Sequence, residues 1–234
     1  VISRYLKSYS TLDYLPELSI VSQTEKGQFY YFSSKFTHEP WLTGDDFSVQ
    51  LDNITKYPVS VYDKFKRRIF NLRHLYTDGA ALKLAGEWFR WMKENGVYDN
   101  TRIIIVSDHG KNVYNPMFSG QTIPGSTQDT SPALWHNILL VKDFNSRGDV
   151  KRKEQFMAAC DVPYLALKDI IDGENPFTGN AITEMENKIP FILFKTKFRL
   201  REQGKHRFFV NEAFRIKDRN IFDLSNWEKI DNAL

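Results

Sequence analysis

The apolar run Ile103–Val106 stops abruptly at Ser107-Asp108-His109-Gly110. A run this short and this apolar, bounded by polar residues and a glycine, reads as a buried strand over residues 102–106. A buried strand needs cover on both faces, and the flanking sequence offers helical patterns for that purpose. Residues 62–95 read as a long helical region. Its apolar stripe is Leu72, Leu75, Leu82, Ala85, Phe89 and Met92, broadened by Trp88 and Trp91, and Asn95-Gly96 is its stop. Further strands are expected over residues 28–32 and 138–142. A helix is expected over residues 162–171, with Asp161 as its cap, Pro163 in its first turn, and Leu165, Ala166 and Ile170 facing inward. Strands alternating with helices in this order imply an α/β sandwich.

The chain has 234 residues, 41% hydrophobic and 15% aromatic, so it has the apolar content of a globular protein and not of a disordered one. Lys and Arg number 32 against 29 Asp and Glu, a formal net charge of +3. That small excess gives no support to nucleic-acid binding. The longest strictly apolar run, Phe156–Cys160, is five residues, against the roughly 20 that a membrane helix needs, so no membrane span is expected. The single cysteine, Cys160, lies in an apolar stretch where a buried, inert thiol is the simplest reading.

From residue 191 onward the pattern becomes β-like and basic. Period-two alternation places Phe194, Phe198 and Leu200 on one face and Lys195, Lys197, Arg199 and Arg201 on the other. Gln203-Gly204 then turns the chain into a second strand of an antiparallel hairpin. Residues 195–219 hold nine Lys and Arg. A solvated face is the simpler reading of that charge, and attraction to anionic headgroups or a glycan is the functional alternative.

Adjacent Asp108 and His109 at a strand end put a carboxylate and an imidazole at the carboxyl edge of a sheet, where open α/β sheets bind ligands. Such donors suit a divalent cation, with Zn or Mn favoured over Mg or Ca. On residue types alone, Asp108 as a turn cap and His109 as a surface histidine is the simpler reading. His74 and His206 read as structural or solvent-facing, and Thr11 as part of a helix start.

Several stretches occurring together shift that balance. The segment from Ala80 to Gly110, with Phe36-Thr37-His38-Glu39-Pro40, Asn137-Ile138-Leu139-Leu140-Val141-Lys142-Asp143-Phe144 and Asp161-Val162-Pro163-Tyr164-Leu165, resembles the sulfatase-like branch of the alkaline phosphatase superfamily. The likeness is to the lipoteichoic acid synthase and phosphoethanolamine transferase type. It implies a three-layer α/β/α sandwich over residues 1–190, with residues 191–234 as a small antiparallel subdomain. It also implies metal-dependent transfer or hydrolysis of a phosphate or sulfate ester on an envelope lipid or glycan, outside the cytoplasm, with a membrane anchor upstream in the parent. Asp108 and His109 become metal ligands, His38 a substrate contact or acid, and Thr37 and His136 substrate contacts.

Phosphoryl transfer ranks above sulfate hydrolysis because no second histidine soon follows Asp-His-Gly. The acidic first-strand ligand and the Thr, Ser or Cys nucleophile of the family have no match in the 37 residues before His38. The chain is therefore expected to be the C-terminal part of a catalytic domain, with part of its aromatic load on an exposed apolar face. The rival from another class is a non-catalytic domain that keeps the fold and binds an envelope component through the basic hairpin.

Overall fold

The computed structural model describes residues 2–24, 26–51, 69–111, 121–127, 130–171, 173–175, 179, 181, 190–197 and 209–230. The chain mixes helix and strand with small antiparallel sheets. It divides into two compact units, residues 1–101 with 144–146, and residues 102–143 with 147–234.

The first unit is helical. Helix α1 (Ile2–Asp13) carries Tyr5, Leu6, Tyr9 and Leu12 on one stripe, helix α2 is Leu15–Leu18, and both pack on the long helix α3 (Ile69–Glu94). Their core is Tyr5, Phe36, Ala80 and Leu84, with the rings of Tyr5 and Tyr9 centred 5.1 and 5.4 Å from that of Phe36. Small residues on α3 allow this approach. A buried polar chain locks it, in which the Tyr5 hydroxyl lies 2.6 Å from Thr43 Oγ1 and the Thr77 hydroxyl donates to the same oxygen at 3.0 Å. Burial raises the Tyr5 pKa above its ordinary value, although Thr43 and Thr77 oppose the shift.

Several expectations change in this unit. The buried stripe of α3 is Leu72, Thr77, Ala80, Leu84 and Met92, while Leu75 and Leu82 are exposed. Apolar weight alone misplaced the stripe, because the packing partners select small residues at the point of closest approach. Within the first unit the helix packs on α1 and α2, and Asn95-Gly96 does stop it, with the Val97 amide donating back to Met92 O at 2.9 Å. Residues 28–32 form no strand: Phe29, Tyr30, Tyr31 and Phe32 are exposed, and the Phe32 ring meets that of Trp88 on α3 at 5.5 Å. Thr11 lies in the last turn of α1, its hydroxyl donating to Lys7 O at 2.8 Å, and so does not start a helix.

The second unit holds both sheets. Strands β1 (Ile103–Val106) and β2 (Leu139–Lys142) pair antiparallel, with Ile103 opposite Lys142 and Val106 opposite Leu139. Arg102, with a side chain 5% exposed, ties β1 to the short helix α4 (Val162–Leu167). Its Nε donates to Asp143 Oδ1 at 2.9 Å and its Nη1 to the carbonyls of Lys168 and Ala166 at 2.6 and 3.2 Å. A guanidinium at a helix C-terminus satisfies carbonyls that the helix leaves open. Helix α4 ends before Asp169, which takes φ +65°, and Ile170 is consequently exposed. Asp161 caps no helical N–H of α4; its carboxylate accepts from the Ala158 amide at 2.8 Å. Cys160 is exposed.

Strands β3 (Phe191–Lys197), β4 (Phe209–Ile216) and β5 (Trp227–Ile230) form an antiparallel sheet in that order. Ile123, Phe214, Ile216 and Trp227 form its core, with Trp135, Phe156, Phe191 and Leu193 packed against them. The cross-strand pairs Phe191 with Ile216, Leu193 with Phe214 and Lys195 with Glu212 share one face. The expected antiparallel pair is present, but at its described end Lys195 points inward and Phe194 outward, opposite to what the charges suggest. Phe191 and Leu193 set the parity, and Glu212 makes an inward lysine tolerable. Phe198, Leu200, the Gln203-Gly204 turn and His206 lie outside the described residues.

The Glu212 side chain is 2% exposed. It accepts from the Thr127 amide and hydroxyl at 2.7 and 2.9 Å and from the Thr130 hydroxyl at 3.3 Å, with Lys195 Nζ 3.6 Å away. Desolvation pushes its pKa up, but these donors and the Lys195 charge outweigh it, so the folded carboxyl titrates below its ordinary value. The stabilisation is therefore present above the unfolded pKa and is lost as pH falls through the folded one. Glu212→Ala leaves Lys195 without its counter-charge, and urea unfolding at pH 7 should show a loss of about 3–5 kcal/mol. A loss under 1 kcal/mol would contradict the assigned network.

Candidate functional site

Backbone bonds fix the turn that follows β1. The Ser107 amide donates to Ile138 O at 3.2 Å, and the Ile138 amide donates to Ser107 Oγ at 3.1 Å. Asn137 Nδ2 donates to the carbonyls of Ser107 and Asp108 at 3.0 and 3.2 Å. Gly110 donates its amide to Leu134 O at 2.8 Å and packs so closely that a Cβ there would collide with Ala133 O and sit 2.8 Å from His136 O. Only glycine fits this contact. The opposing segment is a short 3₁₀ turn, Pro132–Leu134, capped by Ser131, whose hydroxyl accepts from the Ala133 amide at 3.2 Å.

On this anchored backbone the Asp108 and His109 side chains face solvent, 89% and 56% exposed. Asp108 Oδ1 accepts from the His109 amide at 3.0 Å, and Asp108 Oδ2 lies 3.8 Å from His109 Nε2. His109 Nδ1 is 2.5 Å from Gly110 O. A carbonyl can only accept, so this contact places a proton on Nδ1, and in the neutral imidazole Nε2 is then the acceptor nitrogen. A carboxylate oxygen and a free imidazole nitrogen are then presented together, two donors of the four to six that a divalent cation takes. Among the described residues no group of three or more His, Cys, Asp and Glu is placed to complete such a set.

His136 lies on the segment that Gly110 abuts, half-buried, with its ring 5.4 Å from that of Phe222 and edge-on to it. Burial first, and the charge of Arg152 second, hold its pKa below the ordinary histidine value. The sequence expectation thus brings Asp108, His109 and His136 onto two touching segments of the second unit.

Thr37 and His38 belong to the first unit. The wholly buried Phe36 anchors their turn, and no strand precedes it among the described residues. The exposed Thr37 offers its carbonyl to Trp41 Nε1 at 2.9 Å. His38, 57% exposed, keeps Nδ1 3.2 Å from Glu39 Oε2 and 3.1 Å from Glu39 O. Buried Trp41 meets the His74 ring at 4.6 Å, and His74 Nδ1 lies 3.4 Å from Asp78 Oδ2. Burial pushes Asp78 up to about 7, although 41% of its side chain is exposed and a protonated His74 would pull it down. Sequence reasoning gave His74 no part near the Thr37 and His38 turn. The i,i+4 spacing of His74 and Asp78 beside a tryptophan in the turn was the available signal.

Comparison with family models, with curated proteins and with solved structures finds no match.

In an NMR pH titration, Arg152→Ala should move the His136 pKa upward, toward the ordinary value, with burial still holding it lower. An unchanged midpoint would show that the Arg152 charge does not reach the ring.

Proposed function

We propose that the chain is part of a metal-dependent phosphoryl-group transferase or hydrolase of the sulfatase-like type. The observation that carries this reading is the Asp108 and His109 pair, held outward by a backbone that is fixed on both sides, with His109 Nδ1 committed to Gly110 O. The three-layer α/β/α sandwich and an extracytoplasmic setting belong to the same proposal and rest on the likeness of motifs.

In this reading Asp108 and His109 hold a divalent cation, Mn or Zn before Mg or Ca. When bound, the cation supplies charge stabilisation at an ester oxygen and lowers the pKa of a nucleophilic hydroxyl. Asn137 fixes the Ser107 and Asp108 carbonyls, so the carboxylate leaves the strand end in one direction. His38 keeps Nδ1 on Glu39, which leaves Nε2 to meet an anionic oxygen or to protonate a leaving group. Within the second unit His136 contributes a further polar contact to a phosphate ester carried by an envelope lipid or glycan, and a substrate role for Thr37 rests on the likeness of motifs alone. The reading assigns no nucleophile. Phosphoryl transfer stays ahead of sulfate hydrolysis because the next histidine after His109 is His136.

Calorimetric titration of the 234-residue chain with Mn²⁺ and Zn²⁺ tests the ligand pair. The wild type should bind one ion, and Asp108→Ala with His109→Ala should weaken binding by at least tenfold. Equal affinity in the two proteins would overturn the assignment.

A further inference from the structure

We propose that the loop from Arg147 to Lys153 docks the protein on an anionic lipid surface. This goes beyond the ester-transfer reading and does not depend on a bound metal. The loop belongs to the second unit and has the sequence Arg147-Gly148-Asp149-Val150-Lys151-Arg152-Lys153, with every residue exposed. Its four cations face a single acidic residue within it, and Glu154 follows, paired to Arg152 with Nε to Oε1 at 2.8 Å. At the centre stands Val150, 92% exposed, the most exposed large apolar residue among those described.

The backbone explains that placement. Gly148 takes φ +97°, with nothing within 4 Å of where a Cβ would sit, so the chain reverses in open solvent and carries Val150 outward. An apolar side chain at a loop tip gains nothing from water. Seated among cations, it matches the boundary of an anionic bilayer, where headgroups take the charge and the acyl region takes the isopropyl group. A soluble anion would satisfy the cations and leave Val150 hydrated, so the valine argues for a membrane over a free phosphate or glycan.

Each cation near an anionic leaflet increases partitioning by roughly fivefold. Sedimentation with vesicles of phosphatidylglycerol and phosphatidylcholine should show binding that weakens as salt rises, and pure phosphatidylcholine should bind far less. Lys151→Glu, Arg152→Glu and Lys153→Glu combined should lower binding at least a hundredfold. The same three reversals at exposed Lys7, Lys26 and Lys93 match the change in net charge and should lower it much less. If both triple variants lose binding equally, the loop is not the docking site and the proposal fails.

Insertion is read separately. Cys160→Ser with Val150→Cys leaves one thiol for an environment-sensitive nitrobenzoxadiazole label, whose emission should shift to the blue on phosphatidylglycerol vesicles. No shift, or full displacement of the protein from vesicles by millimolar inorganic phosphate at constant ionic strength, would overturn the membrane assignment. The exposed loop should leave the thermal midpoint of each variant within a few degrees of wild type, which separates lost docking from lost folding.

Discussion

The second unit turns on one close contact, Gly110 against the carbonyls of Ala133 and His136. It allows the strand β1 to end against a short 3₁₀ turn without a side chain between them. Around it, the bonds from Ser107, Asn137 and Gly110 use up backbone groups that a chain leaving a strand would otherwise hand to water. The consequence is chemical. With the backbone committed, Asp108 and His109 can present their polar atoms outward with little further ordering cost.

Two charged centres support that frame in different ways. Arg102 is almost wholly buried and serves chiefly carbonyls and carboxylates at the end of α4, so its charge closes a helix and joins it to β1. Glu212 is buried in the sheet and gathers four donor groups, including Lys195 directly across the strands. Both are scaffold, in contrast to the solvent-facing Asp108 and His109.

Much of the local structure was legible in the sequence, and the failures have physical causes. The strands at residues 102–106 and 138–142 were readable because short apolar runs ending in polar residues have few alternatives, but the expected burial was not met: in this two-stranded pair Val106 and Val141 are exposed. The stop at Asn95-Gly96 was readable from cap chemistry. The stripe of α3 was misplaced because Thr77 and Ala80, weak hydrophobes, occupy the closest approach to Tyr5 and Thr43. The hairpin parity inverted because Lys195 was assigned to solvent on its charge, with its partner Glu212 seventeen residues away in sequence. The aromatic run from Phe29 to Phe32 has strand propensity, yet it pairs with no strand of the described residues. Of the site, the Asp108 and His109 pair and the neighbourhood of His136 could be read from order along the chain. For the packing of His74 under Trp41 the only signal was the i,i+4 spacing of His74 and Asp78, because the ring contact itself depends on how a turn meets a helix.

The account stands or falls on whether the Gly110 contact is a requirement or an accident of composition. Urea unfolding of Gly110→Ala beside Gly86→Ala decides it, since Gly86 lies in the middle of α3 with nothing within 4 Å of a Cβ. Gly86→Ala should leave stability unchanged or raise it by about 0.5–1 kcal/mol through helix propensity. Gly110→Ala should lower it by about 1–3 kcal/mol, because the added carbon overpacks against backbone that is already bonded. If Gly110→Ala is as stable as wild type, the turn is not held as described, and the fixed presentation of Asp108 and His109 loses its basis.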